Sequence, residues 1–124
     1  MKRKRVLVVD DSAAMRTLVT TTIEALGDFA IDEAKGGVEA LSLLNHAAYD
    51  VILLDINMPD LHGLELLGFI RQNPRNKATP IILISTESTE RDREKGLALG
   101  ASAYVVKPFT PEELAAHVTR LAGP

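Results

Sequence analysis

The chain has no cysteine and no tryptophan, and only two tyrosines and three phenylalanines among its 124 residues. Without cysteine there is no disulfide framework and no thiolate metal site. Without tryptophan no indole fluorescence can report ligand binding. Positive charge is not in excess: 14 Lys and Arg stand against 17 Asp and Glu, a net charge of −3. That balance argues against a domain that binds nucleic acid over its whole surface. Long apolar runs are also missing, and no stretch approaches the length needed to span a bilayer. The start, Lys2-Arg3-Lys4-Arg5, is basic, as the head of a signal peptide would be. The apolar run after it is four residues long and stops at Asp10-Asp11, too short and too polar for a secretory core. The cluster reads as a solubilising lead into an edge of the first strand, and the expected compartment is the cytoplasm.

What is present is ordinary in bulk and ordered in detail. Hydrophobic residues make up 46% and charged residues 25%, as in soluble globular domains. A chain of this length hides roughly two-thirds of its extended surface on folding, enough for a core without staples. No linker, repeat or low-complexity tract divides it, so a single domain over 1–124 is expected. Short β-branched runs near Val6–Val9, Ala30–Glu33, Val51–Leu54, Ile81–Ile84 and Ala103–Val106 alternate with helical patterns. In the first helix Met15, Leu18, Val19, Thr22 and Leu26 recur at helical spacing, Ser12 is the N-cap and Gly27 the stop. The second, from about Gly37 to His46, puts Val38, Leu41 and Leu44 on one face. The third starts near Gly63, uses Leu66, Leu67 and Ile70, and is closed by Asn73-Pro74. The last opens with Thr110-Pro111-Glu112-Glu113 and shows Leu114, Val118 and Leu121 to the core. Between them Thr89–Leu99 carries a run of charges from Glu90 to Lys95, with Leu97 and Leu99 as its main apolar grip. Such a helix is easy to displace.

Five βα units in sequence predict an α/β fold: a doubly wound, five-stranded parallel sheet with five helices, flavodoxin-like in form. Strand order does not follow from periodicity. The order 2-1-3-4-5 would set the first and third runs side by side at a topological switch point. Four runs end in residues with chemistry: Asp10-Asp11, Asp55, Ser85 and Lys107. Singly, each has a plain reading as a turn residue, a cap or a solvated side chain. Together, at strand ends pointing one way, they form a site. Three nearby carboxylates raise one another's pKa and call for positive charge. Lys107 offers one charge and a divalent cation two. All-oxygen donors suit Mg²⁺ or Mn²⁺ and disfavour zinc. Mg²⁺ favours few carboxylates, several waters and a phosphate, so the edge reads as a phosphoryl site with a carboxylate nucleophile. Charge alone does not choose among the three aspartates.

Asp10-Asp11, Asp55, Ser85 and Lys107-Pro108-Phe109 resemble the receiver domains of two-component response regulators, in particular the stand-alone, CheY-like chemotaxis type. The resemblance covers essentially the whole chain, including the tracts Asp55-Ile56-Asn57-Met58-Pro59-Asp60-Leu61-His62-Gly63-Leu64 and Gly100-Ala101-Ser102-Ala103-Tyr104-Val105-Val106-Lys107-Pro108-Phe109. It implies that Asp55 accepts a phosphoryl group from a histidine kinase. Asp10, Asp11, Asp55 and the backbone carbonyl of Asn57 would hold Mg²⁺. Ser85 would move onto the phosphoryl group, Tyr104 would turn inward, Lys107 would pair with the modified aspartate, and Lys107-Pro108 would be cis. The fourth helix, fifth strand and fifth helix would form the output face, for a downstream protein such as a flagellar motor switch protein. The resemblance further implies that Asn57 and Glu87 tune hydrolysis, so that a short-lived phosphoryl group is expected. Ser85 stands where threonine is commoner, which preserves the hydroxyl. Thr86 stands where a small residue is usual, so its bulk restricts small phosphodonors.

Two readings of other classes fare worse. A haloacid-dehalogenase-type phosphatase needs nucleophile and acid two residues apart, but Asp10 and Asp11 are adjacent. A flavin-binding module needs a hydroxyl- and glycine-rich first loop, and two aspartates there repel phosphate. Within the family, Leu121-Ala122-Gly123-Pro124 reads either as a natural stop or as the start of a linker, so a receiver from a multidomain regulator or hybrid kinase stays open. No helix-turn-helix segment is present, so specific DNA binding is not expected.

Overall fold

In the computed structural model, which describes residues 3–123, strands and helices alternate along the chain. The strands are β1 (Lys4–Val9), β2 (Phe29–Ala34), β3 (Val51–Asp55), β4 (Ile81–Ser85) and β5 (Ala103–Val106). The helices are α1 (Ala13–Glu24), α2 (Gly37–Leu44), α3 (Gly63–Gln72), α4 (Glu90–Ala98) and α5 (Pro111–Ala122). The sheet is parallel throughout, in the order β2-β1-β3-β4-β5. This is the expected flavodoxin-like topology. It puts β1 beside β3, with Val9 opposite Leu54.

Side chains alternate across each strand, so one run feeds two cores. Leu7, Val9, Ile52, Leu54, Ile81 and Leu83 meet Leu44 of α2 and Leu66, Leu67 and Ile70 of α3. Val6, Val8, Val51, Leu53, Ile82 and Ile84 meet Val19 and Ile23 of α1 and Leu114 and Val118 of α5. β3 and β4 are buried at every residue. That is why they read as unbroken apolar runs rather than alternating ones.

Several helix faces differ from the sequence expectation. In α1 the buried stripe is Val19, Thr22 and Ile23, while Leu18 and Leu26 are exposed. In α2 the helix ends at Leu44, and Val38 is 67% exposed. Gly37, Ala40 and Leu44 form its buried line, and Val38 lies one helical step, about 100°, away from it. Leu97 of α4 and Leu99 at its C-cap are both exposed, and the only buried residue of the helix is Gly96. The basic lead runs into the start of the first strand. Lys4 and Arg5 belong to β1, which lies between β2 and β3. Arg3 pairs with Asp28 at 2.9 Å and Arg5 with Asp32 at 3.0 Å, and Lys2 falls outside the described residues.

Ser12 and Thr110 cap their helices as expected, and Thr89, not singled out from the sequence, caps α4. Ser12 Oγ accepts from Met15 N, Thr89 Oγ1 from Asp92 N and Thr110 Oγ1 from Glu113 N. Gly27, after α1, has φ 153°, a backbone shape that side chains disfavour. The Lys107-Pro108 bond is cis.

Candidate phosphoryl and metal site

The strand order brings the sequence candidates to one edge. Asp10 follows β1, Asp55 ends β3, Ser85 ends β4 and Lys107 follows β5. One carboxylate oxygen from each of Asp10, Asp11 and Asp55 lies within 4.8 Å of the others. Lys107 Nζ is 3.4 Å from Asp55 Oδ1 and 3.7 Å from Asp10 Oδ2. Asp10 and Asp55 are buried at 2% exposure, whereas Asp11 is exposed.

Backbone donors hold the two buried carboxylates. Ser12 N donates to Asp10 Oδ1 at 2.8 Å, and Asn57 N donates to Asp55 Oδ1 at 3.2 Å. Among the described residues no donor reaches Asp55 Oδ2. Burial pushes both carboxyls above the ordinary aspartate value of 3.8. At Asp10 the Ser12 N–H opposes this rise, Asp55 adds to it and Lys107 opposes it. At Asp55 the Lys107 ammonium is the largest opposing influence. The cluster is short of positive charge, and its donors are hard oxygens. Both facts fit a divalent cation of the Mg²⁺ or Mn²⁺ kind.

Ser85 is fully buried, and its Oγ accepts from Glu87 N at 2.9 Å. Tyr104 is turned inward at 6% exposure. Its hydroxyl donates to the Glu87 carbonyl at 2.9 Å, so it touches the β4–α4 connection and not the aspartates. Asn57, Glu87 and Tyr104 line a cleft of about 240 Å³ beside the site. Asn57 Nδ2 donates to Thr86 Oγ1 at 3.3 Å, which sets Thr86 across the edge from Asn57.

Two contributors escaped the sequence reading. Arg16 of α1 donates through Nη1 to the Asp10 carbonyl at 2.7 Å, and its Nε lies 3.3 Å from Glu33. A lone arginine on a helix carries no sequence signal of that reach. Gly63 abuts the Asp55 carbonyl oxygen and Ile56 Cα, where an added Cβ would fall at 2.6 and 2.5 Å. A glycine at the head of a helix that follows a candidate residue was the available signal.

The chain matches the response regulator receiver domain family over residues 6–119. It is 41% identical over 111 residues to the chemotaxis protein CheY1 of Helicobacter pylori, covering 89% of this chain and 90% of that protein. It is 42% identical over 117 residues to the transcriptional regulatory protein ResD of Bacillus subtilis, covering 94% of this chain. The chain spans about half of the length of ResD, 47%. Among solved structures, the chemotaxis response regulator CheY4 of Vibrio cholerae matches with a TM-score of 0.89 at 37% identity, covering 97% of this chain and 99% of that one. The Mn²⁺-bound form of the response regulator Rcp1 matches with a TM-score of 0.79 at 29% identity, covering 93% and 88%. With this fold, this edge and this match, the chain belongs to the response regulator receiver domain family of two-component signalling.

Proposed function

We propose that residues 1–124 act as one receiver unit in the cytoplasm, and that Asp55 takes a phosphoryl group from a histidine kinase. The observation that carries this is the meeting of Asp10, Asp11 and Asp55 within 4.8 Å, with Lys107 in contact with two of them. The family resemblance selects Asp55 among the three. Its Oδ2, which no protein donor engages among the described residues, supports the choice.

In the transfer Asp55 Oδ2 attacks the phosphorus of phosphohistidine. The O–P bond forms as the P–N bond breaks. The imidazole leaves as the neutral ring, its other nitrogen already carrying the balancing proton. Lys107 stays with the modified carboxylate and meets the new negative charge. Ser85 reaches the phosphoryl oxygens once its Oγ leaves Glu87 N. Asp10, Asp11, Asp55 and the Asn57 carbonyl are the groups to hold Mg²⁺, with Mn²⁺ as a substitute. That ion supplies the two positive charges which let an anion approach three carboxylates. Tyr104, tied to the Glu87 carbonyl, carries the change at Ser85 toward α4. The chain is a phosphoacceptor that assists its own modification and its hydrolysis, the latter tuned by Asn57, Glu87 and Thr86.

Output is a population shift read on the α4-β5-α5 face. Stand-alone chemotaxis signalling to a flagellar motor switch protein is the preferred assignment, supported by the near-full coverage of CheY1. The half-length match to ResD supports the second reading, a receiver from a multidomain regulator. Incubation with Mg²⁺ and a phosphorylated histidine kinase should leave acid-stable, base-labile label on the wild type and none on Asp55→Asn. Equal labelling of both would remove the acceptor assignment. Capture of a motor switch protein only in the presence of beryllofluoride, standing in for the phosphoryl group, would favour the chemotaxis reading over the second.

A further inference from the structure

The loop between β3 and α3, residues 56–62, carries Asn57 and Asp60 away from the proposed acceptor. Its ends are fixed locally. Asn57 N donates to Asp55 Oδ1, and Gly63 N donates to the Ile56 carbonyl at 2.9 Å. Its middle is fixed from outside. Asp60 Oδ1 accepts from Gly37 N at 3.1 Å, and Asp60 Oδ2 accepts from Val38 N at 3.2 Å. Those are the first two amides of α2, whose own N-cap is Gly36 and has no side chain to cap with.

The neighbouring glycines fit the same contact. A Cβ on Gly36 would lie 2.8 Å from both Asp60 carboxylate oxygens, and a Cβ on Gly37 would lie 2.5 Å from Leu61 Cβ. Gly36 has φ −172°, ordinary extended backbone. Its bareness therefore answers to the room that Asp60 takes up, not to backbone strain. Asp60 and Leu61 together seat the loop on the N-terminus of α2.

We propose that Asp60 is a positioning residue for the metal and phosphoryl site: it docks the acceptor loop on α2 and so sets where Asn57 and Asp55 stand. This rests on the proposed role of Asp55 and Asn57. Groups that orient metal ligands from outside shift metal affinity about tenfold or more when lost. Asp60 would act on ligand geometry without touching the ion.

The test is Mg²⁺ binding by titration calorimetry, with amide hydrogen exchange on the same proteins. Asp60→Ala should weaken Mg²⁺ binding about tenfold and speed exchange at Gly37 and Val38. Asp60→Asn, which keeps one acceptor oxygen, should fall between. Gly36→Ala, which pushes the carboxylate away without deleting it, should act like Asp60→Ala. Val118→Ala, in the core on the other face of the sheet, supplies a general loss of stability and should leave Mg²⁺ affinity unchanged. Wild-type affinity in Asp60→Ala despite faster exchange at Gly37 would make Asp60 a helix cap only and overturn the proposal. Equal weakening by Val118→Ala would overturn it too. Wild-type affinity in Asp55→Asn, or no Mg²⁺ binding by the wild type, would instead bring down the site reading and this one with it.

Discussion

At Asp55 a buried carboxylate faces one ammonium and two further carboxylates. Asp10 shares its burial, and both carboxyls sit above their ordinary 3.8 because burial disfavours the charged form. Each therefore binds its proton more tightly folded than unfolded. What these two groups contribute to the stability of the metal-free fold is fully present below pH 3.8 and is lost as pH rises through the raised folded values. Asp55→Asn removes one such charge. Urea unfolding in EDTA at pH 7 should find the variant more stable than wild type by roughly 1 kcal/mol, the usual size of a single-site effect. The difference should shrink as the pH falls toward the ordinary carboxylate range. A wild type more stable than the variant in EDTA would contradict the burial argument. Thr86 offers a second residue-scale test. Its hydroxyl accepts from Asn57 Nδ2 across the site, so Thr86→Ala should speed labelling by a small phosphodonor such as acetyl phosphate. An unchanged rate would mean that the threonine does not limit access.

At the scale of elements, α4 is held by the absence of a side chain. A Cβ on Gly96 would come within 2.9 Å of Leu83 Cδ1 and 3.2 Å of the Tyr104 ring. Alanine is worth about 1 kcal/mol over glycine in a helix interior, while overpacking costs about 1–3 kcal/mol. Gly96→Ala should therefore destabilise the protein and push the Tyr104 ring off its seat, seen as a lower Tm and a changed near-ultraviolet tyrosine signal. The sequence could not disclose this anchor, because Leu97 and Leu99 offer far more apolar surface than Gly96. The same excess misled the reading of α1 and α2. α1 has more apolar residues than its buried stripe needs, and Ile23 displaces Leu26 from it. In α3 Leu66, Leu67 and Ile70 are buried as expected, although Phe69 off that line is exposed; in α5 Leu114 and Val118 are buried as expected, while Ala122 rather than Leu121 completes the buried line. β3 and β4 were legible because two covered faces leave little place for polar residues.

At the scale of the whole molecule, the site exists only because non-consecutive strands lie side by side. Periodicity located Asp10 and Asp55 at strand ends, but their closeness depends on the order β2-β1-β3-β4-β5. That order came from resemblance, since no local pattern encodes it. The polar ties at the opposite end were illegible for a related reason. Buried Asn76 links the Leu44 and Ala47 carbonyls, Tyr49 N and Thr79 Oγ1, partners up to 32 residues away. Because the site gathers charge from three connections, binding there should hold the whole fold together. Mg²⁺ at one hundred times its Kd should raise wild-type stability by about 2.7 kcal/mol. It should do little for Asp10→Asn or Asp55→Asn, as urea midpoints would report. Equal stabilisation of all three would place the ion elsewhere.

The same strand order leaves β2 and β5 as the outer strands. Outer strands expose unpaired backbone groups that can template another chain. Here β5 is four residues long, and β2 carries Asp32 and Glu33. Neither margin offers a long apolar ladder, so the sheet is guarded against growing into its neighbours. Association of this protein, with itself or with a target, is therefore expected to run through helices and side chains rather than through a sixth strand. A partner that lengthened the sheet would newly protect alternate backbone amides along β2 or β5 from exchange. Their unchanged exchange on partner binding is the expected mark of a module that signals without polymerising.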